Sequence, residues 1–215
     1  MWFHILTGAL ALVAGICNLL IGRKGGPAHV KVGRLFWYSM TAMGASGVVI
    51  AIMRPKAAFV LIGLLSLYLV NTGRNALRQK HGSPNSHVAF WFVVAASCLV
   101  AGIAMGAYGL LLGESVFGSP PALYLGAAFD AALFVVLDLR LMLTRSTTRT
   151  SRIVEHAWRM IAALLFATFA LFIANPAVFP GWARDFGINY APPLAVFAAL
   201  GYWVLAVQRG WWTRT

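Results

Sequence analysis

The sequence predicts an all-α integral membrane protein, a single domain over residues 1–215 in which seven transmembrane helices form a bundle. Three observations support this fold class. The chain is 60% hydrophobic and 10% charged, whereas soluble domains average about 45–50% apolar and about 25% charged residues. Apolar stretches of membrane-spanning length occur seven times, and the basic residues gather in alternate connections between them. The composition argues against a soluble enzyme, a disordered chain and a disulfide-stapled secreted domain.

The lengths of the apolar stretches define the predicted helices. The hydrocarbon core of a bilayer is about 30 Å thick, so a helix that crosses it needs about 20 mostly apolar residues. Seven stretches satisfy this requirement: Trp2–Gly22, Leu35–Met53, Ala57–Ala76, His87–Leu112, Ala122–Leu143, Arg159–Asn175 and Pro193–Val207. The connections that remain are short and leave no room for a second domain.

The first three helices are supported by their charge and by their small residues. The first stretch is expected to be retained, because positive charges follow it instead of preceding it as they do in a signal peptide. Gly44 and Gly47 in the second allow close helix packing in lipid. The third carries the polar Asn71 but is apolar enough to insert.

Cys17 and Cys98 lie in different helices and at different depths, so both are expected to be free, buried thiols.

Small residues also mark the later helices. Gly102 and Gly106 form a G-x-x-x-G step in the fourth helix, a spacing that favours close helix contact. Similar residues line the fifth and sixth helices at Gly126, Ala127, Ala128, Ala131, Ala163, Ala167 and Ala170. We expect these residues to pack the helices of one bundle; a homo-oligomer or a larger membrane complex is the alternative. The seventh helix has no lysine, which excludes a retinal Schiff base.

The basic residues predict the orientation. With the N-terminus outside, the cytoplasmic connections and the tail hold 14 of the 17 Lys and Arg residues, as the positive-inside rule requires. These are Arg23, Lys24, Lys31, Arg34, Arg74, Arg78, Lys80, Arg140, Arg145, Arg149, Arg152, Arg159, Arg209 and Arg214. Only Arg54, Lys56 and Arg184 fall outside. The chain is therefore expected in a cytoplasmic (inner) membrane with its C-terminus cytoplasmic. Its net charge of +12 indicates contact with anionic lipid headgroups, not nucleic acid.

Histidines near the cytoplasmic ends of helices are the candidate cofactor ligands. His29, His87 and His156 each lie at or before the start of an even-numbered helix. If they converge, they could bind Zn²⁺ with Glu155 or Asp138 as an oxygen ligand, or two of them could hold a haem iron. The alternative is that they face lipid headgroups or cap loops. The sequence has no H-E-x-x-H or C-x-x-C-H motif that would identify the metal.

Two carboxylates form a second candidate site in the fifth helix. Asp130 lies near its middle, where inserting a charged residue into the bilayer costs about 2.5–3.5 kcal/mol. An ionisable residue at that depth is therefore expected to have a function. Asp138 follows eight residues later, offset by roughly 80° around the helix axis, so the two could line one cavity. Arg74 and Arg78 are candidate partners for Asp138 from the third helix. Interhelical hydrogen bonding explains the polarity of Asn71.

Several short motifs resemble a family of small bacterial integral membrane proteins of unknown function. The motifs are His4-Ile5-Leu6-Thr7-Gly8-Ala9-Leu10-Ala11-Leu12, His29-x-x-x-Gly33-Arg34 followed by Tyr38 and Met40, Gly73-Arg74, and His156-x-Trp158-Arg159-Met160. The resemblance extends over most of the chain. It implies a polytopic helical bundle, marks His4, His29 and His156 as positions of interest, and implies no activity.

These observations leave three functional hypotheses. The first is a membrane protein that binds haem or a metal through His29, His87 and His156, as a redox or metal-dependent protein. The second is a small proton-coupled transporter that uses Asp130 and Asp138. The third is an accessory subunit that packs against a larger membrane complex, with its polar groups structural.

Overall fold

The computed structural model describes residues 1–78, 86–144, 148–175, 177 and 179–210. Its α-helices are α1 (Trp2–Leu20), α2 (Pro27–Met53), α3 (Ala57–Ala76), α4 (Ser86–Leu112), α5 (Pro121–Thr144), α6 (Arg149–Phe172), α7 (Gly181–Asp185) and α8 (Ala191–Gln208). A 3₁₀ turn, Ile188–Tyr190, precedes α8. Over the described ranges the chain contains no β-strand, only an isolated bridge between Val116 and Ser119. The prediction of an all-α fold is confirmed.

Seven helices are long and apolar enough to cross a membrane: α1 to α6, and the segment Ile188–Gln208 that contains α8. Among the described residues, the number of candidate spans therefore equals the seven predicted, which fits a multi-pass membrane protein. The orientation of these helices stays a prediction. Three residues used in the charge argument, Lys80, Arg145 and Arg214, lie outside the described residues.

Two helices begin earlier than hydropathy predicts. The helix α2 starts at Pro27, eight residues before the predicted Leu35, and α6 starts at Arg149, ten residues before Arg159. These first turns are polar, so an apolar window misses them, although Pro27 suits the first position of a helix. At α6 the Thr148 side chain accepts a hydrogen bond from the Ser151 backbone N–H and caps the helix.

The chain divides into two compact units. The first consists of Met1–His4, Thr41–Tyr68 and Gln79–Thr147, and α4 packs against α5 within it. A Cβ at Gly102 would lie 2.9 Å from both the Ala128 Cβ and the Tyr124 carbonyl oxygen, and one at Gly106 would lie 2.6 Å from Leu125 Cδ2. The G-x-x-x-G step therefore packs helices of one chain, as expected.

The second unit consists of Ile5–Met40, Leu69–Arg78 and Thr148–Thr215, and α6 packs against α8 within it. The helices α1 and α6 also pack closely at Gly15, since a Cβ there would lie 2.6 Å from Leu164 Cδ1. Cys17 is exposed, which corrects the expectation of a buried thiol, whereas Cys98 in the first unit is buried as predicted. Both cysteines are free.

The tight α4–α5 contact yields a test with a control in the same pair of helices. We expect Gly102→Ala to lower the free energy of unfolding by about 1–3 kcal/mol, because the new methyl group meets backbone that cannot move aside. Gly126→Ala is the control. No atom lies within 4 Å of a Cβ there, so the stability should stay the same or rise by up to about 1 kcal/mol. Unfolding in mixed micelles measures both, and equal stabilities of the two variants would contradict the packing described.

Candidate functional site

Residues from four helices gather around His29 and His156 in the second unit. On α2, His29, Gly33 and Trp37 are spaced by four residues and share one helix face. A Cβ at Gly33 would lie 3.3 Å from the Asn18 side-chain nitrogen of α1. The glycine therefore allows α1 and α2 to approach closely beside His29.

The ring of His156 has a defined orientation. Its Nδ1 lies 2.9 Å from the backbone carbonyl oxygen of Gly73 on α3. A carbonyl oxygen can only accept, so Nδ1 carries the proton and the neutral ring keeps its lone pair on Nε2. A Cβ at Gly73 would lie 3.0 Å from Arg159 Cβ and 3.2 Å from Met160 Sδ. A larger residue here would require the α6 side chains to shift by a few tenths of an ångström, so glycine favours this close approach of α3 to α6.

His29 lies in the same part of the second unit and is half-buried. Its ring is close enough to His156, and to the charge of Lys24, for electrostatic interaction. Its Nδ1 is buried and has no hydrogen-bond partner among the described residues. The structure thus brings together two of the four candidate histidines, with one ring nitrogen of His29 unpaired.

Lys24 is a cation that interacts electrostatically with His29. Its Nζ donates hydrogen bonds of 2.8 Å and 2.9 Å to the Asn18 and Leu19 carbonyl oxygens, at the end of α1. The same Nζ lies 4.4 Å from the centroid of the Trp203 ring on α8. Burial lowers the pKa of Lys24, because desolvation disfavours its charged form. Lys24 therefore caps α1 and joins it to α8.

The other two histidines belong to the first unit. His4 Nδ1 lies 3.0 Å from the Met43 carbonyl oxygen and 3.1 Å from Ser46 Oγ. His87 is exposed, and its Nε2 accepts a 3.3 Å hydrogen bond from Trp91 Nε1. In the described part of the chain, no group of three or more His, Cys, Asp or Glu side chains is placed to hold a metal ion.

Glu155 forms an ion pair with Arg159 that was not predicted from the sequence. Its Oε2 accepts hydrogen bonds from Trp158 Nε1 at 2.8 Å and from the Arg159 guanidinium at 3.0 Å and 3.2 Å. The Arg159 side chain is only 4% exposed. The spacing of four residues between Glu155 and Arg159 could have indicated this ion pair, because such residues are neighbours on a helix. Glu155 neutralises a buried arginine, and its role as a metal ligand stays a prediction.

The polar residues of α5 have different environments within the first unit. Asp138 is buried, and its Oδ2 accepts a 2.8 Å hydrogen bond from the hydroxyl of Tyr68. Phe134, one turn earlier, stacks on the Tyr68 ring. Asp130 lies near the middle of α5 and is partly exposed. Asp138 is thus built into the core of this unit, whereas Asp130 is not.

The candidate partners of Asp138 belong to the second unit. The Arg74 guanidinium lies over the ring of Trp37, 3.9 Å from its centroid, and Arg78 is exposed. Asn71 is half-buried on α3, one turn before Asn75. The ion pair between Asp138 and these arginines stays a prediction.

The chain matches no protein-family model, and no curated protein or solved structure is significantly similar to it. The resemblance to small bacterial membrane proteins therefore stays a prediction from its motifs.

The buried charge pair provides a test of how α6 is held. We expect Glu155→Gln to lower the free energy of unfolding by about 3 kcal/mol, because Arg159 loses the carboxylate that neutralises it. Glu114→Gln makes the same chemical change at an exposed position and should alter stability by no more than about 0.5 kcal/mol. Denaturant titration of both variants is the measurement. A Glu155→Gln variant as stable as Glu114→Gln would show that the pair does not hold α6.

Proposed function

We propose that this chain is a multi-pass protein of the bacterial inner membrane that binds haem at its cytoplasmic side, with His29 and His156 as the ligands of the iron. One observation carries the proposal. The two rings belong to one unit and interact electrostatically, His156 keeps its Nε2 lone pair available, and the buried Nδ1 of His29 has no hydrogen-bond partner among the described residues. Imidazole nitrogens of this kind are the usual protein ligands of haem iron.

The number of ligands favours haem over zinc. A porphyrin supplies four nitrogens to its iron, so two imidazoles complete the coordination. Zinc takes three or four protein ligands and would need His87 or an acidic residue in addition to this pair. The alternative with Zn²⁺ bound by His29, His87 and His156 is therefore the second choice for the cofactor.

The residues around the pair have roles that do not depend on the metal. The Gly73 carbonyl accepts a hydrogen bond from Nδ1, which fixes the orientation of His156 and increases the basicity of its Nε2. Histidines that ligate metals commonly have such an acceptor on their other ring nitrogen. Gly33 keeps α1 beside α2, and Lys24 places a positive charge near His29. Bound haem would supply one-electron transfer. The proposed activity is that of a small membrane redox protein, and several of its residues belong to the motifs of the resemblance.

Haem reconstitution tests this proposal. We expect purified protein, titrated with haem in detergent, to develop a sharp Soret band with resolved α and β bands on reduction, as two axial imidazoles produce. His29→Ala and His156→Ala should each abolish that spectrum, because each removes one ligand. His87→Ala should retain it, since His87 pairs with Trp91 instead.

Wild-type protein that develops no such spectrum under saturating haem would overturn the proposal. Loss of the spectrum in all three variants would instead favour a site that includes His87. Bound zinc that is lost in all three would favour the three-histidine metal site.

A second candidate function is supported by Asp130. This carboxyl lies near the middle of a membrane-spanning helix and is partly exposed, and ionisable groups at such depths mark ion or proton pathways. The surface one turn away at Gly126 is open. A proton-coupled transporter would use this group, together with Asp138 deeper in the unit.

Uptake into proteoliposomes tests the transporter hypothesis. If it is correct, a pH gradient should drive substrate or proton flux that Asp130→Asn abolishes, because the amide carries no exchangeable charge. Glu114→Asn, at an exposed residue outside the spanning helices, is the control and should leave the flux unchanged. Equal flux in wild type and Asp130→Asn would remove Asp130 from the mechanism. Stoichiometric co-purification with a larger complex, together with tolerance of the histidine and Asp130 substitutions, would favour the accessory-subunit hypothesis.

A further inference from the structure

We propose that Arg74, Trp37 and Asn75 form a binding site for the oxyanion of a membrane ligand, a phosphate or carboxylate group. The site lies in the second unit, on α2 and α3. The inference rests on the hydrogen-bonding groups of these three residues and does not require that His29 and His156 bind haem.

Arg74 is a cation inside a helix of membrane-spanning character. It lies two residues before the end of α3, a position from which a long basic side chain can reach the headgroup region. Its guanidinium carbon is 3.9 Å from the centroid of the Trp37 ring. A guanidinium held over an indole gains a cation–π interaction and keeps the N–H groups along its edges available. Trp37 thus positions Arg74 without neutralising it.

The two neighbouring polar groups are also donors. Trp37 Nε1 and Asn75 Nδ2 are buried and have no hydrogen-bond partner among the described residues. The indole N–H and the guanidinium can only donate, and the amide nitrogen donates as well. Unpaired buried donors are costly, so a ligand that supplies acceptors would relieve all three groups. An oxyanion supplies several acceptor lone pairs and a negative charge.

The second unit has little acidic charge of its own to offer Arg74. Its sequence contains two acidic residues, Glu155 and Asp185. Glu155 already accepts from Trp158 and Arg159, and Asp185 lies in α7. No other acidic side chain belongs to this unit, and arginine is well suited to bind phosphate and carboxylate groups because its donors form a planar fork.

Native mass spectrometry of the detergent-solubilised full chain tests the site. The probes are phosphatidylglycerol, which has an anionic phosphate, and phosphatidylcholine with the same acyl chains. We expect wild type to retain phosphatidylglycerol preferentially, and Arg74→Gln to weaken that binding by about tenfold or more through loss of charge-assisted hydrogen bonds. Arg78→Gln removes the same charge at an exposed residue four positions later and should change the binding by less than about twofold.

Two further variants keep the test decisive if Arg74→Gln does not fold. Arg74→Lys keeps the charge but removes the planar fork, and Trp37→Phe keeps an aromatic face but removes the Nε1 donor. Each should weaken phosphatidylglycerol binding by about threefold or more. Folding is checked by circular dichroism and thermal unfolding. Unchanged binding of both phosphatidylglycerol and haem in both folded variants would overturn the assignment of these donors.

A second arm identifies the source of the oxyanion. Haem and its dimethyl ester, in which both carboxylates are esterified, are titrated into wild type and Arg74→Gln. Weaker binding of haem alone in the variant, with phosphatidylglycerol unaffected, would support the site with a carboxylate ligand. Failure of wild type to bind haem would overturn the proposed function and leave the lipid measurement valid. If Arg74→Gln and Arg78→Gln reduce lipid binding equally, or Arg74→Gln affects neither ligand, the oxyanion site is wrong.

Discussion

The close approach of α3 to α6 at Gly73 is the constraint on which the rest of the candidate site depends. With no side chain at this position, the Arg159 and Met160 side chains of α6 rest against the α3 backbone. The same approach brings the Gly73 carbonyl within hydrogen-bond distance of His156. Arg159 is buried by this contact and therefore requires Glu155. A single glycine thus links helix packing, a buried charge pair and the orientation of a potential ligand.

The fold could be predicted from the sequence because hydrophobic length is a strong constraint in membranes. Each of the seven predicted spans corresponds to a long apolar helix among the described residues, and α3 has the predicted bounds. The starts of α2 and α6 could not be predicted from hydropathy, since the first turns of these helices are polar. Residues that favour helix starts explain part of the difference between the predicted and observed starts. Thr148 caps the N-terminus of α6, and Pro27 is the first residue of α2. His29 and His156 are consequently helical residues, not residues that precede a helix.

The site was predicted only in part, and the reason is geometric. Composition identifies histidines near helix ends, and two of them do lie near each other. It does not fix the rotation of each helix about its axis. That rotation decides that His87 is exposed and that the Arg159 side chain is buried, whereas the His87–Trp91 and Glu155–Arg159 contacts follow from four-residue spacing within one helix. The contact of Arg74 with Trp37 joins residues far apart in sequence, and no local motif indicates it.

The length of α2 has a consequence for access to the site. A helix of 27 residues is about 40 Å long, roughly 10 Å more than the hydrocarbon layer that it would cross. The excess is accommodated by tilt or by projection beyond the acyl chains. His29 lies two residues from the start of this helix, within its polar first turns. Projection of that end would place the ring at the depth of the headgroups, where a water-soluble electron donor or a metal carrier could reach it without entering lipid.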